Sequence, residues 1–129
     1  ELGEKVSEYV HKILRDSEMN CEVTIDDEND IVLTPQVVTN IFRLSQETLH
    51  NTIKHSKATL YSLSLSHTDN MIVFEAEDNG VGMSGEVDPD VNFGLKNMKF
   101  RVTELNGEIA FAKGSDDKGV RITARIPSK

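Results

Sequence analysis

Cysteine is nearly missing from this sequence: Cys21 stands alone among 129 residues. A single thiol forms neither an internal disulfide nor a thiolate metal cluster, which excludes a disulfide-stapled scaffold and fits a reducing, cytoplasmic compartment. Cys21 lies in a strand-like stretch and reads as a small buried apolar residue. Long apolar runs are missing as well. No stretch approaches the roughly 20 residues that cross a bilayer, and the N-terminus has neither the basic nor the apolar segment of a signal peptide. A soluble domain without direct membrane contact is expected. Cations are outnumbered, 14 Lys and Arg against 22 Asp and Glu, a net charge of -8. That balance repels a phosphate backbone and argues against nucleic-acid binding, so any phosphate must be held by local geometry. Internal repeats and low-complexity segments are absent too, and one domain spanning 1–129 is expected, its ends reading as boundaries within a longer protein.

What is present is strong periodicity. Leu2, Val6, Tyr9, Val10, Ile13 and Leu14 recur at helical spacing, and the helix should stop between Asp16 and Asn20. "CEVTID" alternates as a strand does, and "DDENDIVL" reads as an acidic turn into a short apolar strand. "TPQVVTNIFRLSQETLHNTIKH" is the clearest helix: Thr34 can cap it, Pro35 fits its first turn, and Val38, Ile41, Phe42, Leu49 and Ile53 should face the core. "ATLYSLSLSHTDNMIVFEAED" alternates twice around Asp69-Asn70, an antiparallel hairpin with Tyr61, Leu63, Leu65, Ile72, Phe74 and Ala76 inward. "SGEVDPDVN" is too rich in Gly, Pro and Asp to continue either element, and a mobile loop is expected. Helical spacing returns through Leu95, Met98, Val102 and Leu105 and ends at Asn106-Gly107, after which "EIAFAK" and "VRITARI" form a last hairpin. Hairpins join most strands, so the order predicts a two-layer α/β sandwich with a mixed, mostly antiparallel sheet and helices on one face.

Against that scaffold a few polar residues stand out. Glu47, Asn51 and His55 fall at i, i+4 and i+8 on the long helix, a stripe turned away from its core face, with Lys54 beside it. Such a stripe can be plain solvated surface, yet a carboxylate and an amide one turn apart offer hard oxygen atoms to Mg²⁺ or an activated water. In "FEAEDNGVGM", Asp78 ends a strand as a fixed acceptor, while Gly80 and Gly82 remove side chains where a flat or anionic ligand could approach the backbone. "EDNG" is also a good hairpin turn, but no strand follows it. Gly94 opens a helix whose free N–H groups could meet an anion, or simply marks the helix start; Lys96 and Lys99 add local positive charge.

Taken together and in order, "SQETLHNTIKHSKA", "EDNGVGM", "NFGLKNMKFRV" and "KGVRITARIP" resemble the N box and glycine boxes of the GHKL ATPases, the superfamily of gyrase, MutL and sensor histidine kinases. The resemblance runs from about residue 35 to 127. The forms "QETLHNTIKHSKA" and "GLKNMKFRV" look most like the ATP-binding domain of two-component kinases whose response regulators carry a helix-turn-helix output domain.

The resemblance implies a Bergerat-type ATPase fold that binds ATP with Mg²⁺ and donates the γ-phosphoryl group to a histidine. Asn51 would hold the Mg²⁺ that bridges the phosphates, and Glu47 would orient or polarise at the reacting phosphate. Asp78 would accept a hydrogen bond from the adenine amine. Gly80 and Gly82, with Met83, would lie along the base, Gly94 and Leu95 would face the phosphates, and Lys54 and His55 would contact phosphate. Thr123 would supply a hydroxyl on the adenine side, and 83–93 would be the ATP lid. The sequence departs from the pattern at Asn92, where a glycine is common, and in Glu86, Asp88 and Asp90, which place negative charge in the lid; both imply modest affinity. None of His11, His50, His55 or His67 sits in the expected acidic phosphoacceptor setting, so the accepting histidine would belong to the separate dimerisation domain of the same kinase. Two rival readings share these boxes: a stand-alone protein-serine kinase of anti-sigma type, and a scaffold module that binds nucleotide without turnover.

Overall fold

A computed structural model describes residues 2–15, 17–27, 34–53, 57–68, 70–80, 93–114 and 119–128. In chain order the elements are α1 (Leu2–Leu14), β1 (Asn20–Asp27), α2 (Pro35–Asn51), β2 (Leu60–Thr68), β3 (Met71–Asp78), α3 (Phe93–Glu104), β4 (Glu108–Lys113) and β5 (Val120–Pro127). The short strand expected at 31–33 lies outside the described residues.

Five strands form one sheet in the order β1-β2-β3-β5-β4. β1 and β2 run parallel, which requires a crossover, and α2 supplies it. The other three pairings are antiparallel. The mixed, mostly antiparallel sandwich expected from the sequence is therefore the observed fold. Thr68 and Met71 are partners across the β2–β3 turn, and Asn70 takes the left-handed conformation there with φ 64°. Asp69 lies outside the described residues.

Strand alternation places one face of the sheet in the core. Tyr61, Leu63 and Leu65 of β2, Ile72, Phe74 and Ala76 of β3, and Ile122, Ala124 and Ile126 of β5 are buried and share that face through their register. The opposite face carries Ser62, Ser64, Glu75, Glu77, Arg121 and Thr123. α2 packs between α1 and α3 above the buried face, with α1 also against β1 and α3 against β4. Removing a Leu, Ile or Phe side chain from water contributes about 1.5–3 kcal/mol, so this layer carries most of the stability.

The helix starts and stops follow local chemistry. Thr34 accepts from the Val37 N–H at 3.2 Å, and Pro35 fills a first-turn position whose N–H would have no partner. α3 ends at Asn106, φ 60°, and the Gly107 N–H closes onto the Val102 carbonyl at 2.9 Å.

The core face of α2 differs from the hydropathy pattern. Val37, Ile41, Leu44, Ser45, Thr48 and Leu49 are the buried residues, whereas Val38 and Phe42 are half-buried and Ile53 is 50% exposed. Phe42 instead meets Tyr9 of α1 edge-on, with centroids 5.3 Å apart. Ser45, Thr48 and Thr52 face the sheet because their hydroxyls are satisfied: Ser45 donates to the Ile41 carbonyl, Thr48 to the Ser45 carbonyl. On α1, Val6, Val10 and Leu14 are buried as expected, but Ile13 is exposed. Cys21 is half-buried against the core, and burial pushes its thiol pKa up.

Candidate functional site

The site grows from the end of β3. Alternation along that strand turns Asp78 to the buried face at its last position, where the carboxylate is only 7% exposed. Such a charge needs donors, and three are present. The Gly80 N–H reaches Oδ1 at 2.9 Å, the Thr52 hydroxyl reaches Oδ2 at 3.3 Å, and the Val120 backbone also bonds to the carboxylate. Loss of water outweighs these donors and raises the Asp78 pKa above its ordinary 3.8, with Glu77 adding to the rise. Gly119 closes the back of the cradle at φ 69°: a Cβ there would lie 2.0 Å from the Asp78 carbonyl oxygen. Asn79, next along, ties the strand end to the start of β2. Its side-chain oxygen accepts from the Thr59 and Leu60 N–H groups at 2.9 and 3.0 Å.

Thr52 is the residue after Asn51, so its bond to Asp78 brings the C-terminal end of α2 onto the end of β3. One turn back, Glu47 and Asn51 line a cleft of 320 Å³ together with Tyr9, Gln46, His50 and Asn97 of α3. Of the expected stripe, Glu47 and Asn51 are thus half-buried on the wall of this cleft. The Arg101 Nε donates to Glu47 Oε1 at 2.6 Å, while Oε2 is buried and has no hydrogen-bond partner among the described residues. Below them, the Tyr61 hydroxyl meets the Thr48 hydroxyl at 2.7 Å, and burial raises the phenol pKa well above 10.0.

The remaining expectations divide three ways. Gly80 is buried beside Asp78, and Gly94 lies in the first turn of the 12-residue α3. Lys54, His55, Gly82, Met83, Asn92 and most of the 83–93 lid lie outside the described residues. Two of the expected residues turn their side chains away from the Asp78 carboxylate. Thr123 donates to Glu75 at 3.2 Å on the sheet face opposite Asp78, because odd-numbered residues of β5 point away from the core. Leu95 is 1% exposed with its side chain in the core, so only its backbone could meet a ligand.

Sequence reasoning passed over Thr52, Asn97, Arg101 and Gly119. Gly119 lies inside the quoted "KGVRITARIP" box; the other three make contacts between helices or between helix and sheet that no local pattern announces. His50, read as adjoining the stripe, lines the same cleft. Lys96 and Lys99 are exposed.

Comparison with known proteins agrees with this geometry. Residues 36–129 match the family described as histidine kinase-, DNA gyrase B-, and HSP90-like ATPase. The sensor protein VraS of Staphylococcus saprophyticus is 27% identical over 126 residues, covering 98% of this chain and 35% of that protein. VraS of Staphylococcus haemolyticus is 28% identical over the same shares. The chain therefore spans about a third of the length of these curated relatives. Among solved structures, the histidine kinase domain of the Erythrobacter litoralis EL346 blue-light activated kinase superposes with a TM-score of 0.78 at 23% identity, covering 98% of this chain and 61% of that one. The ATP-binding domain of PrrB from Mycobacterium tuberculosis gives 0.76 at 20% identity, covering 99% and 92%. With its sheet order, its buried strand-end aspartate and a family match over most of its length, the chain belongs to the histidine kinase-, DNA gyrase B- and HSP90-like ATPase family, the GHKL superfamily.

Proposed function

We propose that this chain is the single catalytic domain of a longer two-component sensor kinase, where it binds Mg-ATP and passes the γ-phosphoryl group to a histidine on the kinase's own dimerisation domain. The observation that carries the reading is the Asp78 cradle, a buried acceptor held by Gly80, Thr52 and Val120, joined through Thr52 to the helix end bearing Glu47 and Asn51. Buried carboxylates are costly, and one retained at a strand end with a lone-pair direction to spare suits a purine's exocyclic amine. Adenine has that amine at the hydrogen-bonding edge where guanine has a carbonyl, which selects ATP.

The donor set also fits a magnesium ion. Asn51 offers a hard amide oxygen on the wall of the cleft, with the Glu47 carboxylate one turn away. When bound there, Mg²⁺ neutralises phosphate charge. In the transfer itself a histidine ring nitrogen forms an N–P bond as the bond from γ-phosphorus to the bridging oxygen breaks, and ADP leaves with the electron pair. This domain contributes position and charge rather than a nucleophile. The downstream partner would be a response regulator with a helix-turn-helix output, and the site of action cytoplasmic. Among the described residues no helix is long and apolar enough to cross a membrane, so any tether lies in the rest of the kinase.

Calorimetry with ATP and GTP, with and without Mg²⁺, tests the binding half. ATP should bind, GTP should not, Asp78→Asn should weaken ATP by at least about tenfold, as losing a hydrogen bond to a charged group implies, and Asn51→Ala should abolish the Mg²⁺ dependence. Unchanged ATP affinity in Asp78→Asn would remove the adenine assignment. The transfer half is tested by labelled ATP and the kinase's dimerisation domain, looking for acid-labile phosphohistidine.

A further inference from the structure

The Glu47 carboxylate is held by one of its oxygens from a neighbouring helix. Arg101 reaches across from α3 to bond Oε1 at 2.6 Å, and Oε2 is buried with no partner among the described residues. Their side chains are 32% and 24% exposed, a range in which an ion pair adds little to stability, so energetics alone do not account for the contact. Geometry does. Arg101 comes from a different helix, and a charge-assisted guanidinium bond to one oxygen restrains the carboxylate to one side of the cleft. The oxygen left over belongs to the residue that lines the cleft with Asn51 and His50.

From this we infer that Arg101 is the positioning residue for Glu47: by holding Oε1 from α3 it fixes the side chain on the cleft wall beside Asn51, in the orientation that the reacting groups meet. This rests on the kinase reading. Arg101 acts through Glu47 and not on ATP, so its removal should slow transfer without weakening nucleotide binding. A charge-assisted hydrogen bond lost from the transition state lowers kcat by about 10- to 100-fold.

The test measures phosphohistidine formation by the full kinase carrying this domain, and ATP affinity by calorimetry. Arg101→Ala should lower kcat by that factor with ATP affinity within about twofold of the parent, and Arg101→Lys, which keeps a donor but not the planar fork, should fall between. Arg101→Ala added to Glu47→Gln should cost nothing beyond Glu47→Gln alone, because residues acting as a unit are not additive. Arg121→Ala breaks the pair with Glu77 on the far face of the sheet and should leave kcat unchanged. Additive losses, weaker ATP binding at intact kcat, or full activity in Arg101→Ala would each overturn the role. If Arg101→Ala does not fold, Arg101→Lys and its combination with Glu47→Gln decide the same question. A parent kinase that binds ATP but forms no phosphohistidine removes the kinase reading and the positioning role with it.

Discussion

Gly119 is the position where one added methyl group should do most damage. Its φ of 69° is a conformation that costs an L-residue about 1–2 kcal/mol. A Cβ would also lie 2.0 Å from the Asp78 carbonyl oxygen and 2.5 Å from its Oδ1. The first of these is backbone within a paired strand and cannot swing aside, so overpacking adds about 1–3 kcal/mol. Together, Gly119→Ala should lose about 2–5 kcal/mol, a large share of the roughly 5–15 kcal/mol of a domain this size. Urea unfolding should show the midpoint falling by about 1 M or more. Gly119→Asn separates the two causes, since asparagine tolerates the left-handed region but brings the same Cβ; it should remain nearly as costly. Gly107→Ala is the control for position. Its Cβ would meet the Arg125 carbonyl oxygen at 2.5 Å, so it should also destabilise. Arg125 lies five residues along β5 from Val120 of the Asp78 cradle, on the order of 16 Å away. Folded Gly107→Ala should bind ATP normally, and folded Gly119→Ala should not. Stability of Gly119→Ala within about 0.5 kcal/mol of the parent, or equal loss of ATP affinity in both variants, would refute the cradle argument.

The burial of Asp78 makes a pH prediction. Its pKa is raised on folding, so the stability it allows is complete below 3.8 and is lost as the pH climbs through the raised value. Asp78→Asn cannot ionise and should gain stability relative to the parent between about pH 4 and neutrality while losing ATP affinity; denaturation across that range checks the sign, and a gain that grows toward acid would be the wrong result. Tyr61→Phe removes the donor to Thr48 and should cost about 0.5–1.5 kcal/mol, with Thr48→Val in the same chain adding much less than it does alone. Alkaline difference spectroscopy should find the Tyr61 phenol still protonated well above pH 10.0.

Much of this domain is legible without coordinates because its strands alternate strictly. One misplaced residue in β3 would turn Phe74 and Asp78 to the wrong face, so the pattern that buries the core also delivers the aspartate. α2 is harder to read. Its sheet-facing side mixes Ile41 and Leu44 with Ser45, Thr48 and Thr52, and hydropathy scores a hydroxyl as wet whether or not a carbonyl or a phenol satisfies it. That is why hydropathy points Ile53 to the core although it lies 50% exposed. The same alternation that turns Asp78 to the buried face turns Thr123 to the opposite one, since a box marks a stretch of strand and not which face each of its residues takes.

Periodicity, caps and turn residues, all local, determined the elements, the sandwich and the Asp78 and Asn51 ends of the site. The closing of Thr52 and Gly119 around the aspartate, and the grip of Arg101 on Glu47 from 54 residues away, were decided only when α2, β3, α3 and β5 packed together. Contacts at such separation leave no period in the chain, because their partners are chosen by the shape of the fold and not by spacing along it.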